Sequence, residues 1–285
     1  MELALGTVQF GLAYGAVGSG RQVDDDTARA ILTLAWDSGV RTLDTAAAYG
    51  DIEARLAGLC GPHDFRIVSK IAPLGRLSDP AERAAAVRAS VERSLQRLGP
   101  RLQALLFHSV ADLEAEDGPA LWALAREALA RAERPVRLGV SGYAPEELQR
   151  LHRQLDLEIA QLPGNALDQR LHQHASLDGV ELHVRSAFLQ GLLLAPARGA
   201  LRVPAAASAL TRWQARCEQS GLSLQQAALG VVQGLPGVAC CVVGVETPAQ
   251  FAEIAAAWRE ARPLHWPELA SPDADAWDPR RWPAG

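Results

Sequence analysis

Along the chain, apolar runs of five to seven residues, bounded by Gly, Pro, Asp or Ser, alternate with longer stretches whose apolar residues recur every three to four positions. Runs of the first kind suit strands buried on both faces, and the second kind suits amphipathic helices. Their alternation predicts βα units around a parallel sheet. The strand-like runs fall at 3–7 (LALGT), 41–45 (RTLDT), 66–70 (RIVSK), 104–108 (ALLFH), 136–141 (VRLGVS), 158–162 (EIAQL), 180–186 (VELHVRS) and 239–244 (ACCVVG). Helical patterns such as TARAILTLAWDSG, PAERAAAVRASVERSLQRLG and GPALWALAREALARAE lie between them. Boundary residues agree: Thr247 and Pro248 suit an N-cap and first turn, Gln250 completes a capping box, and Gly39 and Gly99 suit helix ends. Two helical stretches, 206–220 and 223–234, precede the last strand, so the final unit carries an extra helix.

Eight such alternations in about 260 residues predict an α/β fold of the (β/α)8 TIM-barrel type, a single domain over 1–285 with an irregular tail at 261–285. A doubly wound sheet is the competing fold. It would carry a Gly-rich fingerprint after a strand, and the glycines of GLAYGAVGSG do not give G-x-G-x-x-G, nor is there a Walker A.

Composition changes this picture little. Hydrophobic content of 48% and charged content of 21% are those of a globular protein. A net charge of −5 without a basic run gives no expectation of nucleic-acid or anionic-membrane partners. No apolar run approaches the ~20 residues that span a bilayer, and the N-terminus lacks a signal-peptide pattern. Four cysteines show no CxxC spacing, and Cys240 and Cys241 would face opposite sides of a strand, so a reduced, cytoplasmic protein is expected. Nothing in the sequence points to a particular oligomeric state.

One feature of the charge does change the picture. Of 28 Lys and Arg residues, Lys70 is the only lysine. Arginine serves any solvated surface, whereas lysine is required where a compact charge must sit against one partner or where a proton must leave.

In a (β/α)8 barrel, chemistry comes from the C-terminal ends of the strands. Those ends read Asp44, Lys70, His108, Ser141, Gln161 and Ser186, and Tyr49 follows Asp44 by five residues. Singly, an aspartate there is an N-cap and a histidine a packing residue. Four titratable groups gathered at one face are not explained by packing. Asn165, the only asparagine, suits a turn with φ > 0. His172 and His174, with His152 and His183 nearby, have loose spacing and no clear carboxylate partners, so no metal site is expected. A G-x-S-x-G elbow is absent, which removes serine hydrolysis.

The segments that carry these residues resemble the aldo-keto reductases. LDTAAAYGDIEARLAGL is similar to that family's aspartate–tyrosine signature, IVSKIAPL to its lysine strand and ALLFHS to its histidine strand. LGTVQFG, GVSGYAPEEL, QLPGNALDQR and VVGVETPAQFAEI match further segments in order, from about residue 3 to 260. The resemblance implies an NAD(P)H-dependent oxidoreductase that reduces the carbonyl of a small-molecule aldehyde or ketone, with the cofactor bound on the barrel. It implies Tyr49 as general acid, eased by the charge of Lys70, with Asp44 holding Lys70 and His108 orienting the carbonyl.

The cofactor contacts it implies are Gly6 and Thr7 at the end of the first strand, Ser141 and Gln161 on the nicotinamide carboxamide, Arg185, Ser186, Gln190 and Gly191 at and after the end of strand seven, and Gly244, Gln250 and Glu253 around the last strand and its helix. Three departures stand out. Arg185 replaces a common aromatic, Gly142 a common asparagine, and Gly244, Val245 and Gln250 the lysine, serine and arginine that grip a 2′-phosphate. The helix N-terminus at Thr247 and the loop arginines Arg198 and Arg202 are substitutes for that grip. Family habit favours NADP(H), with NAD(H) as the alternative.

Two other readings stay open. One is a cofactor-binding regulatory or redox-sensor protein on the same barrel. The other is a Schiff-base lyase using Lys70, against which the neighbouring Asp44 argues. Trp266, Trp277 and Trp282 either pack the tail onto the barrel or line its mouth.

Overall fold

The computed structural model describes residues 1–173 and 177–282. Its parallel strands pair in chain order and close into a barrel: β1 (Glu2–Gly6), β2 (Thr42–Asp44), β3 (Arg66–Ile71), β4 (Leu102–Phe107), β5 (Arg137–Ser141), β6 (Ile159–Pro163), β7 (Glu181–Arg185) and β8 (Val238–Gly244). The expected strand positions differ from these by at most two residues at either end. The α-helices are α1 (Val8–Gly11), α2 (Asp25–Asp37), α3 (Ile52–Cys60), α4 (Pro80–Leu98), α5 (Ala111–Glu114), α6 (Gly118–Leu129), α7 (Pro145–Leu155), α8 (Pro196–Arg202), α9 (Ala207–Ser220), α10 (Leu224–Gln233), α11 (Pro248–Glu260) and α12 (Ala274–Trp277).

Helix ends follow local chemistry. Thr247 Oγ1 accepts the Gln250 N–H at 3.2 Å, capping α11. The expected reciprocal half is displaced: Gln250 Oε1 accepts the Glu246 N–H at 2.8 Å rather than that of Thr247. Gly99, with φ at +54°, ends α4, and Gly39 at +93° follows α2.

Successive strand residues point to opposite faces, and this parity builds the barrel in layers. Glu2, Arg66, Arg137 and Glu181 open their strands with ion pairs, Arg66–Glu2 at 2.5 Å and Arg137–Glu181 at 2.5 Å. Two residues along, Ala4 and Val68, with Ile159 at the start of β6, belong to small buried apolar clusters separate from the main core between sheet and helices. Two residues further come Asp44, Lys70, Gln161 and Arg185. The apolar plug thus carries a polar layer at the C-terminal mouth. On the outer face of β3, Ser69 Oγ donates to buried Glu53 at 2.5 Å and Ser94 Oγ to the same oxygen at 2.9 Å, tying β3 to α3 and α4.

The four cysteines are free and buried, and burial pushes the Cys60 thiol up to about 11 and Cys241 to about 12. The tail's tryptophans pack against the protein and are not among the residues that line the cavity at the barrel mouth. Trp266 is buried against Trp213, ring centroids 6.2 Å apart; Trp277 carries the Arg170 guanidinium at 4.2 Å; Trp282 donates to the Asp275 carbonyl at 3.1 Å. Among the described residues no helix is long and apolar enough to cross a membrane.

Candidate active site

A cavity of about 620 Å³, within the ~300–1,000 Å³ of small-molecule sites, opens at the C-terminal mouth. Asp44 and Tyr49 line one end, and Gln250 and Glu253 the other. Lys70 lies beneath, fully buried, and donates to Asp44 Oδ1 at 2.6 Å and to the Thr45 carbonyl at 3.0 Å. Gln161 Nε2 donates to the second Asp44 oxygen at 2.7 Å. Asp44 is therefore clamped from β3 and, across the barrel, from β6. A buried carboxylate this well satisfied holds its ammonium partner in place.

Tyr49 sits on the turn after β2, its ring centroid 5.5 Å from Lys70 Nζ and 5.8 Å from the His108 ring, edge to face. The turn is fixed by close backbone approach. A Cβ on residue 11 would fall 1.9 Å from the Tyr49 carbonyl oxygen, so glycine at the end of α1 is what lets that helix press against it.

Burial and neighbouring charge shift the titratable groups of the site. Burial first, then the Asp44 carboxylate, raise the Tyr49 phenol well above its usual value, while Arg185 opposes them. Lys70 is matched by Asp44 at hydrogen-bond distance and lies 5.5 Å from the Tyr49 ring centroid, and Arg185 adds a second positive charge that favours the phenolate. Burial pulls the Lys70 ammonium down from its ordinary value, Asp44 opposing. His108 falls to about 4, through burial first and then the positive charges of Lys70 and Arg185, and is a neutral imidazole near pH 7.

Of the remaining expected contacts, Gly6, Thr7, Arg185, Ser186, Gln190, Gly191, Gly244, Gln250 and Glu253 line the cavity. Ser141 and Gln161 do not: both are buried at adjacent strand ends, and the Gln161 amide is turned to Asp44. Arg198 lines the cavity and Arg202 does not. Asn165 holds a turn through Oδ1, accepting the Leu167 and Asp168 N–H groups at 2.9 and 3.1 Å, without a positive φ. His183 Nε2 donates to the Glu181 carboxylate at 2.8 Å and the His172 ring lies against that of His265, so the two are engaged separately; His174 lies outside the described residues. Among the described residues no group of three His, Cys, Asp or Glu is placed to hold a metal ion.

Sequence reasoning missed the strap over the cavity. The segment after α1 is pinned at both sides: the Val17 N–H donates to the Gln190 carbonyl at 3.3 Å, Gln190 Nε2 to Tyr14 Oη at 3.2 Å, and the Ser19 N–H to both Glu246 oxygens at 3.0 Å. Opposite it, Ser186, Leu189 and Gln190 all take positive φ, a conformation non-glycine residues adopt only where surroundings impose it. The signal available was position alone, a glycine-rich loop following the first strand on the catalytic face.

The aldo/keto reductase family model matches residues 2–270. The chain is similar to a solved Pseudomonas aeruginosa structure provisionally assigned as an aldo-keto reductase, at 30% identity and a TM-score of 0.64, covering 90% of this chain and 89% of that one. An aldo-keto reductase from Bacillus halodurans in its holo form shares the fold, at 20% identity, a TM-score of 0.70, and coverage of 98% and 95%. A curated relative, D-threo-aldose 1-dehydrogenase from a Pseudomonas species, is 31% identical over a 192-residue alignment, with 54% of this chain covered. The match spans only 56% of that relative's length.

Proposed function

Because the chain belongs to the aldo/keto reductase family and is thus an oxidoreductase, we propose that it interconverts a carbonyl and an alcohol with a nicotinamide nucleotide, Tyr49 handling the proton. The observation that carries this reading is the Asp44 clamp: a buried Lys70–Asp44–Gln161 network lies beneath Tyr49 and His108, beside a cavity of about 620 Å³.

The residues fit such a cofactor. Gln9 Oε1, on the cavity lining, is buried without a partner, an acceptor ready for an amide N–H such as that of a carboxamide. Arg198, exposed and without a carboxylate partner among the described residues, meets phosphate charge, as does the capped N-terminus of α11. Those two features support NADP(H), with NAD(H) as the alternative, since Gly244, Val245 and Gln250 carry no positive charge. When bound, the nucleotide supplies or accepts the hydride, leaving an oxygen that must gain or lose one proton.

The chain's own groups are in the right states for reduction. Tyr49 is held as a protonated phenol by burial and gives its proton to the oxygen as negative charge develops there. The neutral His108 ring offers one N–H to the same oxygen, in a site where a preformed donor is worth more than in water. Asp44 and Lys70 fix the floor against which Tyr49 rests.

Replacing Tyr49 with Phe is expected to cut kcat by about 100-fold or more while tryptophan-fluorescence titration with NADPH and NADH shows binding retained. The assay panel pairs simple aldehydes with aldoses, the latter on the strength of the curated relative's activity. Undiminished turnover by Tyr49→Phe overturns the assignment.

A further inference from the structure

The mouth of the barrel holds four cations from β3, the loop after β6, the end of β7 and the tail, and three of them have carboxylates. Lys70 meets Asp44 at 2.6 Å, Arg170 meets Asp168 at 2.8 Å and Arg280 meets Asp278 at 2.6 Å. Arg185 pairs with no carboxylate among the described residues. Its one side-chain hydrogen bond runs from Nη2 to the Gly142 carbonyl at 3.1 Å, so the side chain reaches from β7 past β6 to the end of β5.

This guanidinium is held still. It lies 4.5 Å from the centroid of the Tyr143 ring, and Arg280 covers the same ring at 3.7 Å. Tyr143 is itself pinned, its carbonyl accepting from Arg170 at 2.6 Å and its N–H donating to Glu147 at 3.0 Å. Of the five guanidinium N–H donors, one is used. Arg185 is half-buried, lines the cavity at the Tyr49 end, and its charge depresses the proton affinity of Tyr14, Tyr49, Lys70 and His108 alike. Withdrawing a charge from water without a partner is costly, and a rigid guanidinium fork matches a carboxylate edge in a way a lysine cannot. With its three neighbours neutralised, Arg185 is the one unpaired cation of this group, which suits a monoanion rather than a phosphate dianion.

We infer that Arg185 selects a substrate whose carboxylate lies within a few bonds of the reacting carbonyl, that is, a 2-oxo acid or an aldehyde acid. This rests on the carbonyl chemistry proposed above and names its substrate class.

The test compares matched substrates, glyoxylate against glycolaldehyde and succinic semialdehyde against butanal, in the intact protein and in Arg185→Gln and Arg185→Lys. The intact protein is expected to have the higher kcat/KM for the acid of each pair. Arg185→Gln should lower the acid-to-neutral ratio by about 10- to 100-fold, the loss of a charge-assisted bond, and Arg185→Lys should restore part of it. Calorimetric binding of oxamate to the nucleotide-loaded protein should weaken in parallel, and circular dichroism establishes that each variant is folded. An unchanged ratio in Arg185→Gln, or an intact protein that prefers the neutral partners, overturns the inference while leaving carbonyl reduction standing. Binding of nucleotide with no turnover of either kind of carbonyl sinks the carbonyl reading and this inference with it.

Discussion

Lys70 is the chain's one lysine because the slot it fills is fully buried and offers one carboxylate oxygen and one carbonyl, at 2.6 and 3.0 Å. A planar fork would have to spread its donors where only a point charge fits. That residue, with Asp44, Tyr49 and His108, was legible because strand parity and the barrel's C-terminal face fix where each side chain goes. The Gln161–Asp44 bond was not. It joins non-adjacent strands across the barrel, and no local pattern encodes that distance. His108 carries a pH signature of its own. Unfolded, its imidazole titrates near 6.5, and folded near 4. Between those values the unfolded chain binds a proton that the native site refuses, so His108 lowers stability as pH falls from 6.5 toward 4 and has no effect above 6.5. The slope is at most about 1.4 kcal/mol per pH unit. Urea unfolding at pH 7 and pH 5 should therefore show a larger loss for the intact protein than for His108→Asn. Equal losses would mean that His108 protonates freely in the folded state.

Elements were legible in proportion to their length. All the strands and the long helices could be read from periodicity, whereas α1, α5 and α12 are single turns of four residues, too short to show a 3.6-residue period. The positive φ at Ser186, Leu189 and Gln190 was equally hidden, since no glycine marks it and only the loop's surroundings impose it. The strap over the cavity depends on these unreadable pieces. Glu246 gives both carboxylate oxygens to one N–H of that strap, at Ser19, and a side chain at Gly18 would collide with it at 2.4 Å. A segment so held must release before a ligand in the cavity can leave. Glu246→Ala is expected to raise the nucleotide dissociation rate by roughly 3- to 10-fold, as loss of a partly exposed charged hydrogen bond would, with a smaller change in association. Stopped-flow fluorescence measures both. An unchanged dissociation rate would show that the strap does not govern release.

At the scale of the whole molecule, the tail was legible as irregular but its seat was not. Gly230 on α10 and Gly234 at its C-cap, one turn apart, leave a groove into which the chain after α11 settles. A Cβ at either position would lie 2.7 Å from the Arg262 carbonyl oxygen or 2.2 Å from that of Leu264, and the Leu264 N–H donates to the Gly230 carbonyl at 2.8 Å. From that groove the tail delivers Trp266 into the core, between the Trp213 ring and the Arg216 guanidinium, the latter 4.7 Å away. The Trp266 carbonyl then accepts from Gln169 Nε2 at 2.9 Å, in the same loop whose Arg170 pins Tyr143 and, through it, the Arg185 stack. The tail is thus continuous with the support of the mouth. Trp266→Ala should cost about 3–5 kcal/mol, as truncation of a buried aromatic does, and lower Tm by on the order of 10 °C for a domain of this size. Circular-dichroism melts read the loss. A cost below about 0.5 kcal/mol, the range of an ordinary surface substitution, would mean that the tail merely lies on the barrel, and that Arg185 owes its position to Gly142 and Tyr143 alone.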